Sequence, residues 1–270
     1  MGSLLLLALL ARCAAAAEEG LAVALHAQAY PVEGGVIVGS VMTTNGLKRA
    51  LLRSGRVRVA RSFYPFHYSG IADEAWDLVI IEGWFESSAA VIHEFRRHSP
   101  SILVFYWCLD PLFPGLNSIA SLDVDGYLTN SRAVSEKLSH FAPSAFVPLA
   151  ADVEEMETLI PWNASAPFVY VGSALGVATK LNLVEMLREA QNTSRGLELW
   201  GSGWADVGPP DLLQSYRGVL PHGELGACYA RAGAVLGATM DGQRDAGMVN
   251  NRVFEVLAAV WCGVLSFSTA

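Results

Sequence analysis

Short apolar runs alternate along this chain with segments whose apolar residues recur at helical spacing. Up to residue 150, strand-like runs occupy 21–25, 57–60, 77–81, 102–107, 126–129 and 145–149. Helical segments near 40–54, 87–98 and 131–140 lie between several of these runs. This order predicts an open parallel sheet with helices packed on both of its faces.

The same alternation begins again after a polar, proline-containing stretch at 151–167, which we interpret as a linker. Strand-like runs follow at 168–171, 197–200, 216–219, 234–238 and 264–267, and helical segments at 179–190, 222–232 and 248–262. The chain is therefore predicted to be α/β, with two Rossmann-like, doubly wound parallel-sheet domains at 18–150 and 168–270. Because no helix follows the last strand-like run, we expect the second domain to be incomplete.

Composition narrows the class of protein without changing this prediction. Hydrophobic residues make up 52% and charged residues 16% of the 270 positions, which is too apolar for a disordered chain. Such a composition suits strands that are buried on both faces. The net charge is −8 and Lys and Arg form no run, so a nucleic-acid partner is not expected.

The first residues, MGSLLLLALLARCAAAA, form an apolar run followed by small residues. This pattern is typical of a secretory signal peptide, cleaved here near Ala17, and the run is too short for a stable membrane span. We therefore expect residues 1–17 to direct the protein to the lumen of the secretory pathway or out of the cell. A weak membrane anchor, a misassigned start and a cytoplasmic location are the alternatives.

The motifs that bind phosphate or metal in other proteins are absent or incomplete in this sequence. It contains no GxxxxGK[ST] loop, and Gly201-Ser-Gly203 lacks the third glycine of a dinucleotide-binding turn. Asp123-Val-Asp125 is a DxD triplet, but it precedes a strand-like run and is interpreted as a polar loop. No other cluster of acidic, His or Cys residues has metal-ligand spacing, so no metal site is predicted.

Residues 247–268, GMVNNRVFEVLAAVWCGVLSFS, predict a largely apolar helix that carries one positive and one negative charge. Val249 and Leu257 belong to its apolar stripe, whereas Arg252 and Glu255 share a different face. Arg252 stands near the helix start, where a cation opposes the helix dipole unless an anion binds there. Glu255, one turn later, is placed to accept hydrogen bonds from a ribose diol. An ion pair between Arg252 and Glu255 explains the pattern equally well.

Four segments of the second half occur in an order that resembles a known family. They are YVGSALGVATKLNLVEMLREA, LELWGSGW, YRGVLPHGELGACYARAGAVLGATM and GMVNNRVFEVLA. In this order they resemble the C-terminal half of glycosyltransferases with the GT-B fold, in particular the CgeB-like (spore-maturation protein) group. FYWCLDPL, DGYLTNS and VPLAAD in the first half are also similar to segments of that family.

The resemblance implies that a sugar nucleotide lies in the cleft between two Rossmann-like domains, held mainly by the second. The donor-site residues would be Glu255 for the ribose, Val219 and Leu220 for the base, and Arg252, Asn250, Asn251 and Lys180 for the diphosphate. The implied reaction moves a sugar from a nucleotide-diphosphate sugar to an unidentified glycan, protein or small-molecule acceptor. It would need no metal or other cofactor, because the cationic side chains and the helix N–H groups would stabilise the departing diphosphate.

Three polar residues follow strands of the first domain, at the edge where a parallel sheet places its ligands: His26, Glu82 and Asp110. Asp110 is the preferred general base or sugar contact because it lies in a family-like segment, although it could instead cap the following turn. His26 is the second candidate for the base, with a structural role as the alternative. Gly35, in a glycine-containing loop after the first strand, would let the backbone approach the donor, or the loop could bind nothing.

Two other functions stay open at this point. The family usually has glycine five residues after the ribose-binding Glu, whereas this chain has Val260. The protein could therefore be a catalytically inactive module that binds nucleotide sugars. A two-lobed extracytoplasmic ligand-binding protein would also combine two α/β domains with an export signal, but it predicts several hinge crossings where this sequence contains one clear linker.

Overall fold

The computed structural model describes residues 20–27, 39–65, 69–83, 88–109, 115–156, 158, 160–161, 163–174 and 182–259. These residues form two compact units, one up to Pro148 and one from Leu149 onward. Each unit contains a parallel sheet with helices, so the predicted α/β, Rossmann-like architecture of two domains is confirmed. None of the helices in these ranges is both long and apolar enough to cross a membrane. The predictions that fall outside the described residues concern the signal peptide, Gly35, Asp110, Lys180, Val260 and the run at 264–267.

The first unit is built on a six-stranded sheet in the order β2-β1-β3-β4-β5-β6, in which all neighbouring strands are parallel. Its strands are β1 (Leu21–His26), β2 (Val57–Phe63), β3 (Leu78–Glu82), β4 (Leu103–Cys108), β5 (Gly126–Thr129) and β6 (Ser144–Phe146). Its helices are α1 (Gly39–Arg53), α2 (Ser88–His98), α3 (Leu116–Ala120) and α4 (Arg132–Leu138), with a 3₁₀ turn at Ile71–Asp73. Each of the six strands overlaps a predicted apolar run. The strands β1, β3 and β4 are buried at most positions, which explains their apolar sequences, whereas Ala145 and Phe146 of β6 are exposed at the sheet edge.

An aromatic cluster holds one layer of helices onto the first sheet. The ring of Phe63, at the end of β2, makes edge-to-face contacts with Trp76 and Phe95, at centroid distances of 5.5 and 5.4 Å. The indole Nε1 of Trp76 donates to the carbonyl of Ile71 over 2.7 Å. This cluster ties α2 and the 3₁₀ turn to the carboxyl end of β2.

The second unit is built on a smaller parallel sheet in the order β8-β7-β9. Its strands are β7 (Phe168–Val171), β8 (Leu197–Trp200) and β9 (Ala234–Val235). Its helices are α5 (Val153–Met156), α6 (Leu183–Gln191), α7 (Trp204–Val207), α8 (Leu225–Arg231), α9 (Asp241–Asp245) and α10 (Arg252–Ala259), with 3₁₀ segments at Pro210–Ser215 and His222–Glu224. Its core is centred on Tyr170 and Trp204, whose rings meet edge to face at 6.0 Å and are fully buried.

The predicted strand at 216–219 is wrong. Tyr216 forms only a single bridge with Leu199 of β8, so the pairing ends after one residue in this described stretch. Gly218 then adopts a φ of 100°, a left-handed conformation that interrupts an extended strand. The sequence pattern therefore mispredicted a strand in a segment that pairs with the sheet at one residue only.

The inner face of α10 is the one that carries Glu255. Glu255, Val256 and Ala259 are buried, whereas Val249 and Leu257 of the predicted apolar stripe are 49% and 51% exposed. The buried positions recur at the i, i+1 and i+4 spacing of one helix face. Val256 of the predicted apolar stripe is therefore buried as expected, but the helix also turns the Glu255 carboxylate into the protein and leaves Leu257 outside, which hydrophobicity alone does not predict.

Candidate functional site

The carboxyl ends of the strands form the edge at which parallel α/β sheets bind their ligands. In the first sheet β2 lies on one side of β1 and β3 on the other, so the strand order reverses there. His26 ends β1 and Glu82 ends β3, and both therefore flank this switch point. In the second sheet β7 is the central strand, and its carboxyl end at Val171 is the corresponding position.

The register of the first sheet places His26 and Glu82 on opposite faces. His26 pairs with Ile81, and consecutive residues of a strand point to opposite sides, so Glu82 faces away from His26. The helices agree with this assignment, because Thr44 of α1 bonds to Glu82 whereas Phe63, in register with His26, packs against α2. The structure does not bring His26 and Glu82 together on one surface.

His26 is fully buried, and its environment weakens it as a base. Desolvation lowers the pKa of His26 to about 4, against hydrogen bonds with the backbone of His26 and Ala27 that raise it. The imidazole is therefore neutral at neutral pH and takes up a proton less readily than a free histidine.

Glu82 is also a poor base, but for the opposite reason, because its buried carboxyl stays protonated. Desolvation raises the pKa of Glu82 to about 8, although the hydrogen bond from the Thr44 hydroxyl lowers it. Oε2 accepts the Thr44 bond, and Oε1 has no partner among the described residues. At neutral pH most Glu82 side chains are therefore uncharged carboxylic acids.

The second unit buries a carboxylate that is surrounded by donors. Glu255 Oε1 accepts a hydrogen bond from Asn251 Nδ2 over 2.9 Å, and Oε2 accepts one from the Tyr229 hydroxyl over 3.4 Å. Burial raises the pKa of Glu255, whereas the charge of Arg252, the Tyr229 bond and the charge of His222 each lower it. These three neighbours oppose protonation of a side chain that burial alone would neutralise.

Arg252 lies at the carboxyl end of β7. Its Nη2 donates to the carbonyl of Val171, and Cζ lies 5.2 Å from the centroid of the Tyr170 ring. It also hydrogen-bonds to Tyr229. Among the described residues, no direct ion pair joins Arg252 to Glu255. A direct ion pair, the alternative that the sequence left open, therefore does not explain the positions of these two side chains. The two side chains instead meet through Tyr229.

The amides at the start of α10 already have acceptors within the chain. Asn250 Oδ1 accepts from the amide of Arg252 over 3.0 Å, and the Asn250 carbonyl accepts from Val253 over 3.1 Å. The Asn251 carbonyl accepts from Phe254 and Glu255 over 2.9 and 3.0 Å. A diphosphate at this helix start would therefore meet the side chains of Arg252, Asn250 and Asn251 before it could reach these backbone groups.

His222 and Glu155 are polar neighbours of this cluster that the sequence did not reveal. His222 Nε2 lies 3.2 Å from Glu155 Oε2, although the two residues are 67 positions apart. Tyr229 was likewise missed as a functional residue, although it stands in the family-like segment YRGVLPHGELGACYA. The motif order was the available signal for Tyr229, whereas nothing local marks the pair of His222 and Glu155.

The remaining predicted positions are spread over the two units. Val219 is exposed and Leu220 is buried, both in the irregular stretch between the 3₁₀ segment Pro210–Ser215 and the turn at His222–Glu224. Asp123 and Asp125 both pair with Arg96, at 3.2 and 3.3 Å, in the loop before β5. Within the ranges that the structure describes, no group of three His, Cys, Asp or Glu side chains is arranged to hold a metal ion.

The polar cluster of Tyr229, Arg252 and Glu255 lies in a part of the chain that is recognisable by sequence. A family model described as glycosyl transferase-like matches residues 180–269. This glycosyl transferase-like segment includes α6 through α10 and supports a glycosyltransferase in general terms, while the CgeB-like grouping stays a prediction. No curated protein matches the chain.

Proposed function

We propose that the protein is a metal-independent glycosyltransferase that moves a sugar from a nucleotide-diphosphate sugar to an acceptor. The observation that carries this proposal is the buried Glu255 carboxylate, joined through Tyr229 to Arg252 at the carboxyl end of β7. This cluster lies in the segment that matches the glycosyl transferase-like family. No cofactor besides the donor substrate is part of the proposal.

Glu255 would bind the ribose of the donor. An ionised carboxylate only accepts hydrogen bonds, and its two oxygens have room for the two hydroxyls of a diol. The bonds from Asn251 and Tyr229 fix the carboxylate in one orientation, which reduces the entropy that binding would otherwise cost. Val219 and Leu220 would offer backbone groups to the base.

The chemical step would depend on stabilising the departing diphosphate. Breaking the bond between sugar and phosphate places negative charge on the leaving group, and a fixed guanidinium is suited to that charge. Arg252 would supply it, with Asn250, Asn251 and Lys180 as further contacts and Gly35 as a point of backbone approach. This arrangement would replace the metal ion that other transferases use.

The acceptor would be deprotonated by a residue of the first unit, and the pKa values rank the candidates. A general base works best when its pKa lies near the working pH and it is unprotonated there. Burial lowers the pKa of His26 to about 4, which makes the imidazole a weak base. Burial raises the pKa of Glu82 to about 8, so this carboxyl is mostly protonated at neutral pH. Asp110 therefore stays our preferred base.

One observation favours the second candidate function, a nucleotide-sugar-binding module without turnover. The amides from Arg252 to Glu255 already bond to Asn250 and Asn251, so the helix start is less open to a diphosphate than the mechanism requires. Such a module would bind nucleotides at Glu255 without accelerating donor cleavage. The predicted secretory location is compatible with both functions.

The test is a calorimetric titration of the wild type and of Glu255→Gln with UDP, GDP and ADP. We expect the best nucleotide to bind the variant about 10- to 100-fold more weakly, because one acceptor oxygen is replaced by an NH2 group and the remaining oxygen loses its charge. Glu189→Gln is the matched control, since Glu189 is exposed on α6 of the same unit. Equal affinity of wild type and Glu255→Gln would rule out the proposed site.

A donor-hydrolysis and transfer assay with the corresponding nucleotide sugar separates the two candidate functions. Turnover that Glu255→Gln abolishes supports the transferase. Nucleotide binding without turnover, under conditions in which the wild type is saturated, supports the binding module.

A further inference from the structure

Two exposed Asn-x-Ser triplets of the second unit have no part in the proposed function. They are Asn163-Ala-Ser165 and Asn192-Thr-Ser194. An asparagine followed two positions later by Ser or Thr, with a residue other than proline between them, is the acceptor for N-linked glycans in secreted proteins. We propose that both asparagines are N-glycosylation sites of this chain. The inference goes beyond the proposed function, and it depends on the secretory location that residues 1–17 predict.

Asn163 lies in a turn that engages its oxygen atoms and leaves its side-chain nitrogen unbonded. Its Oδ1 accepts the amide of Ser165 over 2.9 Å, and its carbonyl accepts the amide of Ala166 over 3.0 Å. Among the described residues, Nδ2 of Asn163 makes no hydrogen bond, and all three residues of the triplet are exposed. The atom that would carry the sugar is therefore accessible without any change in the turn.

Asn192 lies at the carboxyl end of α6, where its backbone is held and its side chain is not. Its amide donates to the carbonyl of Arg188 over 3.0 Å, which ends the helix. The Thr193 hydroxyl donates to the carbonyl of Ala190 over 2.8 Å and orders the turn that follows. Within the described parts of the chain the Asn192 side chain has no hydrogen-bond partner, and its triplet is exposed throughout. This side chain is therefore also available for modification.

The two triplets lie at the same edge of the second sheet. The turn of Asn163 leads into β7 and the turn of Asn192 leads into β8, and these two strands are parallel neighbours. Arg195 joins the two turns, because its Nε donates to the carbonyl of Ala166 over 2.9 Å and its Cζ lies 4.2 Å from the centroid of the Phe168 ring. Both modifications would therefore fall at the amino ends of the strands.

The proposed donor site belongs to the opposite edge of this sheet. Arg252 contacts the carbonyl of Val171 at the carboxyl end of β7. At about 3.3 Å per residue, the strand from Phe168 to Val171 separates the two edges by about 10 Å. Because a glycan is bulky and hydrated, it must extend into solvent, and exposed turns at the amino edge permit this without covering Arg252.

The modification joins the asparagine to an oligosaccharide that a lipid diphosphate carries. A bond forms between Nδ2 of the asparagine and the anomeric carbon of the first sugar, and the bond between that carbon and the diphosphate oxygen breaks. The electron pair of the broken bond leaves with the lipid diphosphate, and one proton of the amide is lost to a base of the transferring enzyme. Nothing is oxidised or reduced, and the lipid-linked oligosaccharide is the only co-substrate.

The experiment produces the full chain in cultured animal cells and measures its electrophoretic mobility before and after digestion with peptide:N-glycosidase F. This enzyme removes the glycan and converts each modified asparagine to aspartate, which mass spectrometry locates. We expect partial digestion of the wild type to show two mobility steps, with aspartate at positions 163 and 192. Ser165→Ala and Ser194→Ala should each remove one step, and the double variant should show none.

Matched controls separate the triplet from the fold. Ser165→Thr and Ser194→Thr keep the hydroxyl and should keep both steps, whereas the alanine variants remove it and leave Asn163 and Asn192 in place. If an alanine variant lowers the amount of protein, Asn163→Gln or Asn192→Gln repeats the measurement with the serine retained.

An undigested wild type, with asparagine at both positions by mass, would overturn the proposal, whether the chain is secreted or kept inside the cell. Modification at one position alone would support that site and reject the other. These readouts use no nucleotide, so a failure of nucleotide binding would reject the proposed function and leave the glycosylation sites unaffected.

Discussion

Two buried glutamates show how one residue type acquires two chemistries. Both carboxyls have a pKa that burial raises, but their neighbours differ. Glu82 receives one neutral hydrogen bond, from Thr44, and keeps its proton near neutral pH. Glu255 is opposed by the positive charges of Arg252 and His222 and by the bond from Tyr229. Glu255 is therefore suited to accept hydrogen bonds, and Glu82 is not suited to act as a base.

The charge state of Glu82 makes a prediction about stability. In the unfolded chain its carboxyl ionises with a pKa of 4.5, and in the fold with a pKa of about 8, so burial of Glu82 destabilises the protein increasingly as the pH rises between these values. Glu82→Gln, which keeps a partner for Thr44, should raise the free energy of unfolding by about 1–3 kcal/mol at pH 8. At pH 4.5 and below the change should nearly vanish.

Urea denaturation at the two pH values measures this difference. Glu136→Gln is the control, because Glu136 is exposed on α4 of the same unit. A gain in stability that is the same at pH 4.5 and pH 8 would contradict the raised pKa of Glu82.

At the scale of elements, the proposed site depends on how α5, α8 and α10 pack. α10 turns Glu255 inward, α8 presents Tyr229 to it, and α5 supplies Glu155 to the turn before α8. The contact between Gly226 of α8 and Met156 of α5 leaves no room for a side chain. A glycine inside a helix normally weakens it, so its presence here is explained by this close approach.

Gly226→Ala tests that contact. Alanine stabilises most helices relative to glycine, but here its Cβ would lie 2.5 Å from the Met156 oxygen and force α8 and α5 apart. We expect the free energy of unfolding to fall by about 1–3 kcal/mol, as overpacking of a tight contact does. Gly223→Ala is the matched control, since the described residues leave open space around an added methyl there. Equal stability of the two variants would show that the helices adjust without loss.

At the scale of the whole molecule, the two units have separate sheets and different proposed tasks. The first unit carries His26 and Glu82 at the ends of its strands, and the second carries the cluster around Glu255. In the proposed complex the nucleotide is bound mainly by side chains of the second unit, and these side chains become more ordered. A ligand that binds only the folded state also raises the stability of the part that binds it.

Hydrogen exchange in the presence of saturating nucleotide measures this distribution. We expect slower amide exchange in residues 222–259 and unchanged exchange in 57–65 and 69–83, the segments that contain β2 and β3. Glu255→Gln at the same nucleotide concentration serves as the control and should show little protection. Protection confined to the first unit would contradict the assignment of the donor site.

The alternation of apolar runs predicted every strand that the structure describes in the two sheets, but it also predicted a strand at 216–219 that does not form. A buried parallel strand needs apolar residues at consecutive positions, and this local requirement is visible in runs such as LAVAL and FVYV. The stretch at 216–219, YRGV, begins and ends with residues common in strands, but whether it joins a sheet depends on its neighbour β8 and on the turn at Gly218. Pairing between strands is a nonlocal property that composition does not encode.

The sequence by itself determined the α/β class, the positions of His26 and Glu82 at strand ends, and the charged pair Arg252 and Glu255 on one helix. Only the tertiary structure decided their chemistry, because desolvation and hydrogen bonding come from residues far away in the chain. The carbonyl of Val171 and the rings of Tyr170 and Tyr229 engage Arg252, and these partners lie up to 82 positions from it. The pairing of His222 with Glu155 exists only because α8 packs directly on α5.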